Sequence, residues 1–152
     1  MKRLLLSLAL LVSTFSAYSS QKEGEWVVGG KMNLYTGWDG TFGIGAYGRY
    51  GITDQLRVEP AAVFLCRTGC SVDLSADLQY AFPIEDSFEI FPLAGISVND
   101  PGNFGVGLCV GGGMNFLTKL DWDFTANVKW MVETQKYIAN PVVVSIGAHY
   151  KF

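Results

Sequence analysis

After its first twenty residues, the 152-residue sequence has no apolar run approaching the roughly 20 residues a helix needs to span a bilayer. It holds three cysteines and a single histidine, His149, so a Cys/His metal site lacks ligands. Charged residues make up only 16% of the chain, and basic ones are the minority. Without Lys2 and Arg3 the 11 basic residues fall to 9 against 14 acidic ones, a net charge of −5. A chain so short of basic charge lacks the surface that phosphate binding needs, which excludes nucleic acid as a partner. What the sequence does have is glycine, 18 residues, and aromatics at 14%.

The N-terminus reads as an export signal. Met1-Lys2-Arg3 is basic, Leu4 to Val12 is apolar, and Ser13 to Ser20 is small and polar. Ala17 and Ser19 occupy the −3 and −1 positions for cleavage after Ser19, whereas cleavage one residue later would put the bulky Tyr18 at −3. No cysteine stands at the junction to carry a lipid anchor. The expected division is a signal peptide over 1–19 and one domain over 20–152.

From Glu25 onward the chain alternates with period two, the pattern of strands whose two faces meet different environments. Eight such segments follow one another. The first places Trp26, Val28, Gly30, Met32 and Leu34 against Glu25, Lys31 and Asn33. The seventh places Leu120, Trp122, Phe124, Ala126, Val128, Trp130 and Val132 against Asp121, Asp123, Thr125, Asn127 and Lys129. No position on the apolar face of any segment is charged. The links are short turn-formers, including Thr36 to Gly40, Gly51 to Gln55, Pro83 to Ser87 and Leu117 to Lys119, and such links join antiparallel neighbours.

A strand of about 10 residues tilted near 45° covers about 24 Å, close to the apolar band of a membrane barrel. An open sheet edge in lipid would leave peptide groups unpaired, so the sheet must close. The expected fold is all-β: an eight-stranded antiparallel up-and-down transmembrane β-barrel. A soluble barrel or sandwich would have to bury Glu25, Arg57, Glu59, Asp73, Asp77, Asp121 or Asp123 in an apolar core. The aromatics give direction. With the first strand leaving the periplasm, Trp26, Tyr50, Tyr80, Phe82, Phe88, Phe116, Trp122, Tyr150 and Phe152 gather at the periplasmic end. Phe42, Phe64, Phe104 and Trp130 gather at the external one.

The eightfold alternation, the hairpin Tyr50-Gly51-Ile52-Thr53-Asp54-Gln55-Leu56 and the final strand Ser145 to Phe152 resemble the small outer-membrane barrels of the OmpA/OmpX type, over the whole mature chain. The final strand is similar to the C-terminal β-signal of such proteins. The resemblance implies an integral protein of the bacterial outer membrane, delivered by periplasmic chaperones and inserted by the barrel-assembly machinery. Gly147, Tyr150 and Phe152 would be the recognised positions, with outer-membrane lipid as the surrounding partner. The external loops are shorter than those usual in the family, which weakens an adhesin or receptor role.

The inward face is expected to hold a charge network of Lys31, Arg49, Arg57, Glu59, Asp73, Asp77, Glu89, Asp121, Asp123, Lys129, His149 and Lys151, because buried charges need partners. Gly43, Gly45, Gly105, Gly107, Gly111 and Gly113 would instead leave room for water if the lumen were a narrow pathway. Val63, Leu65, Met131 and Val143 also face inward near the external end, more as a plug than an open mouth. Gly43-x-Gly45-x-x-Gly48 matches a nucleotide-loop spacing but lies inside a strand, where that motif has no meaning. Cys66 and Cys70 flank a three-residue tip and are candidates for a disulfide in an oxidising compartment, while Cys109 reads as a small inward filler. No catalytic, cofactor-binding or metal-binding residue is assigned, and no cofactor is expected. The leading role is a structural membrane barrel, followed by a small-solute pore. Surface adhesion through the loop Glu133 to Asn140 comes third.

Overall fold

The computed structural model describes residues 21–67, 71–100, 105–134 and 139–152. The expected signal peptide, Cys70, Phe104 and residues 135–138 of the Glu133 to Asn140 loop lie outside them. Nine ladder segments are present: β1 (Trp26–Tyr35), β2 (Thr41–Gly51), β3 (Leu56–Cys66), β4 (Ser71–Tyr80), β5 (Phe82–Glu85), β6 (Phe88–Asn99), β7 (Gly105–Phe116), β8 (Trp122–Glu133) and β9 (Val142–Lys151). Only Ala81 separates β4 from β5, and both pair with β6, so the two form one stave of an eight-stranded wall. Each stave pairs antiparallel with its sequence neighbour. The first and last close the barrel, with Lys31 opposite Gly147 and Gly29 opposite His149.

Closure follows from the alternation. Ile44, Leu74, Leu108, Val110 and Ile146 point outward and are exposed, while Arg49, Glu89, Asn115 and Asp123 point inward and are fully buried. This is the reverse of a water-soluble barrel and suits a wall with lipid outside and polar partners within. A shallow apolar groove of about 520 Å³ runs down the outer wall where Gly30, Ala126 and Ala148 are overshadowed by Met32, Phe116 and Phe124.

Three local departures from the sequence expectation have physical causes. The Pro83 to Ser87 segment is not all turn: Phe82–Glu85 continues the stave, pairing Phe82 with Ile90, and the register shifts between Pro83 and Glu85. A proline is accommodated at such an irregularity because it has no N–H to give the ladder. The β2–β3 ladder likewise lapses between Tyr47↔Ala61 and Tyr50↔Val58, the stretch containing Pro60. Lastly, β8 begins at Trp122 rather than Leu120, and Leu120 and Asp121 lie exposed in the bend before it.

The aromatic side chains of one rim form a girdle of four contacting groups. Ring centroids are 4.9 Å apart for Trp26–Tyr50 and for Tyr80–Phe82, and 5.5 Å for Phe88–Phe116. They are 5.4 Å apart for Trp122–Tyr150 and 5.3 Å for Tyr150–Phe152. All nine residues are those expected at the periplasmic end. This rim also carries the start of β1 and the end of β9; it is called the terminal rim, and the opposite one the far rim.

Candidate functional site

The lumen gathers most of the chain's buried charge, and it is layered. Near the terminal rim, Glu59 on β3 is a hub. Its Oε2 accepts from Arg49 Nε and Nη2 at 2.9 and 2.6 Å and from Gln79 Nε2 at 2.9 Å, and its Oε1 accepts from Lys31 Nζ at 3.1 Å. Beside it Arg57 pairs with Glu89, which also accepts from the Asn115 amide. Both guanidinium groups lie over the Phe91 ring, at 5.8 Å for Arg49 and 5.6 Å for Arg57, and Lys31 lies 5.3 Å from the centre of Tyr47. Charge-assisted hydrogen bonds and cation–π contacts together offset the cost of removing these groups from water.

A second cluster lies against β8 and β9. Asp123 accepts from Lys151 Nζ at 3.0 Å and from the Thr118 backbone N–H at 2.8 Å, and its Oδ2 is 3.8 Å from His149 Nε2. His149 shares its Nδ1 with the Tyr47 hydroxyl at 2.8 Å. Tyr47, His149 and Asp123 are all buried. Their geometry orients the imidazole. At the terminal mouth, Gln21 is buried and donates through Nε2 to the carbonyls of Glu25 at 2.7 Å and Arg49 at 3.0 Å.

Across the middle, Lys129 on β8 meets Asp77 on β4 at 2.9 Å. Further out, Asp73 accepts from the Tyr35 hydroxyl at 2.6 Å and from Ser97, while Asn99 donates to Glu133 at 2.8 Å. The far mouth is apolar: Tyr35, Trp38, Val63, Leu65, Cys109, Met131 and Val143 pack as one buried cluster.

Of the expected lumen residues, Lys31, Arg49, Arg57, Glu59, Asp73, Asp77, Glu89, Asp123, Lys129 and His149 are buried inside, and Lys151 is at the terminal mouth with its side chain 31% exposed. Asp121 is the correction. It lies outside the wall, because the chain from Leu117 curls back to place Thr118 over Asp123, and only the Asp121 carbonyl joins the ladder, accepting from the Lys151 N–H at 2.9 Å. Glu25 is likewise exposed at the rim, where its Oε2 accepts from the Lys22 N–H.

The inward glycines adjoin bulky side chains. A Cβ on Gly43 would meet Val63 Cγ1 at 2.7 Å, one on Gly107 Met131 Cγ at 2.7 Å, and one on Gly113 Phe91 Cζ at 2.7 Å. Bulky neighbours already occupy that space. Of the β-signal residues, Gly147 faces Lys31 across the closing seam, and Tyr150 and Phe152 join the girdle, Phe152 being 84% exposed. Cys66 is exposed at the end of β3 and Cys109 is buried; the Cys66–Cys70 pairing falls outside the described residues. Among the described residues no three His, Cys, Asp or Glu side chains gather as metal ligands.

Sequence reasoning passed over the lumen aromatics Tyr35, Tyr47 and Phe91. They share the parity of Lys31, Arg49 and Glu89, so the same alternation could have found them. Trp38 carried no such signal, since it belongs to a turn.

The chain matches no family model and no curated protein. Among solved structures it is similar to the N-terminal β-barrel domain of Pseudomonas aeruginosa OprF, at 13% identity and TM-score 0.72 over 87% of this chain and 100% of that one. It is similar to Neisserial surface protein A at 18% identity and TM-score 0.66, covering 86% and 98%. Ail of Yersinia pestis in phospholipid nanodiscs gives 15% and 0.58, covering 86% and 100%. Identities this low speak for the fold alone, and on that ground the chain has the fold of the small eight-stranded outer-membrane β-barrels.

Proposed function

We propose that this protein is an integral outer-membrane barrel whose role is structural, a rigid closed cylinder seated in lipid, without catalysis. The observation that supports this reading best is the filled lumen. Ion pairs occupy its terminal half and middle, and apolar side chains occupy its far mouth. A cylinder so packed has an apolar exterior to hold it in a bilayer and no cleft for a substrate. Delivery by periplasmic chaperones and insertion by the barrel-assembly machinery, through Gly147, Tyr150 and Phe152, belong to the same proposal.

The test is a heat-modifiability gel on refolded mature protein, followed by planar-bilayer recording. Faster migration before boiling and a silent bilayer agree with the structural reading. Steady unitary conductance would replace it with the small-solute pore.

A further inference from the structure

The β1–β2 turn, Thr36 to Gly40, folds over the far mouth. Trp38 at its centre is only 7% exposed. Its ring stacks on Tyr35 with centroids 5.1 Å apart and planes 4° from parallel, and its indole N–H donates to the Ala139 carbonyl at 3.1 Å. The Trp38 carbonyl accepts from the Thr41 N–H at 3.0 Å. Asp39 (φ 53°) and Gly40 (φ 69°) both take left-handed conformations, which turn the chain sharply enough to aim the indole inward.

Six of the seven residues in the apolar plug are on ladder strands: Tyr35 on β1, Val63 and Leu65 on β3, Cys109 on β7, Met131 on β8 and Val143 on β9. None of these can leave the mouth without breaking wall hydrogen bonds, each costly to lose in lipid. Trp38 alone is off the ladder. Its side chain is held by the stack on Tyr35, the hydrogen bond to Ala139 and packing within the plug, with no ladder hydrogen bond of its own backbone to break, so it is the part of the plug that moves at least cost.

We propose that Trp38 is the lid of the barrel and that the Thr36 to Gly40 turn is its hinge. Swinging out, it uncovers Cys109, its neighbour in the plug, and opens the far mouth towards the Asp73 and Glu133 carboxylates. Among the described residues, neither carboxylate is in an ion pair: Asp73 accepts from Tyr35 and Ser97, and Glu133 from Asn99. The opened mouth therefore favours small cations over anions. The scaffold reading does not require this lid, and its removal leaves the wall intact.

Cys109 is the reporter. In a C66S/C70S background it is the only thiol, and Trp38 packs in the same plug, so its modification by a small cationic methanethiosulfonate added from the far side reports whether the indole has moved. On refolded full mature protein in phospholipid vesicles, Trp38→Ala should raise the rate of Cys109 modification about tenfold or more, and Trp38→Phe, which keeps the stack, should stay near the parent rate. Equal rates for Trp38→Ala and the parent would overturn the proposal. A second measurement needs no variant. Brominated lipid quenches the outward-facing Trp26, Trp122 and Trp130, so the residual emission belongs to Trp38. Resistance of that emission to aqueous acrylamide supports the closed lid, and quenching as ready as that of free indole overturns it.

Discussion

Lys129 and Asp77 meet across the lumen from opposite sides of the wall, Nζ to Oδ2 at 2.9 Å, with both side chains almost wholly buried. They are 52 residues apart in sequence, and no backbone ladder joins β8 to β4. The pair is a strut. Removing one partner would leave the other charged and enclosed, which costs about 3–5 kcal/mol. Lys129→Met and Asp77→Asn should each lower unfolding stability in denaturant titrations by that order, and the double variant should recover most of the loss. Single-variant losses below about 1 kcal/mol would show that water already screens the pair.

Glu59 serves two cations, so its variants should be unequal to theirs. Glu59→Gln strands both Arg49 and Lys31, and a loss of about 3–5 kcal/mol is expected in the same titration. Lys31→Met leaves Glu59 held by Arg49 and Gln79, and about 1–3 kcal/mol is expected. The reverse order would mean that Glu59 is not the hub of this layer.

Depth in the membrane can be read along one strand. Val110, outward and mid-way along β7, should lose about 2–4 kcal/mol on replacement by Arg, as a charge held at the bilayer centre does. Phe116, six residues on in the terminal girdle, should lose about 0–1 kcal/mol from the same charge. Reversible folding into phospholipid vesicles gives both values. Equal losses would place the bilayer differently on the wall.

The glycines separate by side of the wall. At Gly111 a Cβ would run into the Val128 carbonyl oxygen and meet Lys129 Cα at 2.6 Å, both backbone, so Gly111→Ala forces two staves apart. Gly30 faces outward with only the Gly45 oxygen near, at 3.7 Å. Gly111→Ala should cost about 1–3 kcal/mol or abolish the heat-modifiable band, and Gly30→Ala should migrate as the parent does.

Legibility followed the period of two. Wherever the chain runs as regular strand, parity alone tells whether a residue faces lipid or lumen, and ten of the twelve expected lumen residues are buried there. Asp121 departs from its face because strand regularity begins only at Trp122, two residues after the apolar pattern begins at Leu120. Pro83 reads as a turn residue in sequence, yet a ladder irregularity can hold it, and only the presence of β6 alongside creates that irregularity.

By itself the sequence determined the number of staves, the inside-out polarity and the aromatic girdle. Each depends on alternation along one strand and on where that strand starts and stops. Partnership across the lumen was decided only by tertiary structure. Stagger between staves brings Lys129 to Asp77 and three donor side chains to Glu59, and curvature brings Val63 over Gly43. The same holds for Trp38, whose inward aim comes from two left-handed residues that follow it and from a mouth narrow enough for one indole to cover. Parity is a local property of the chain, whereas distance across a cylinder exists only once the cylinder has closed.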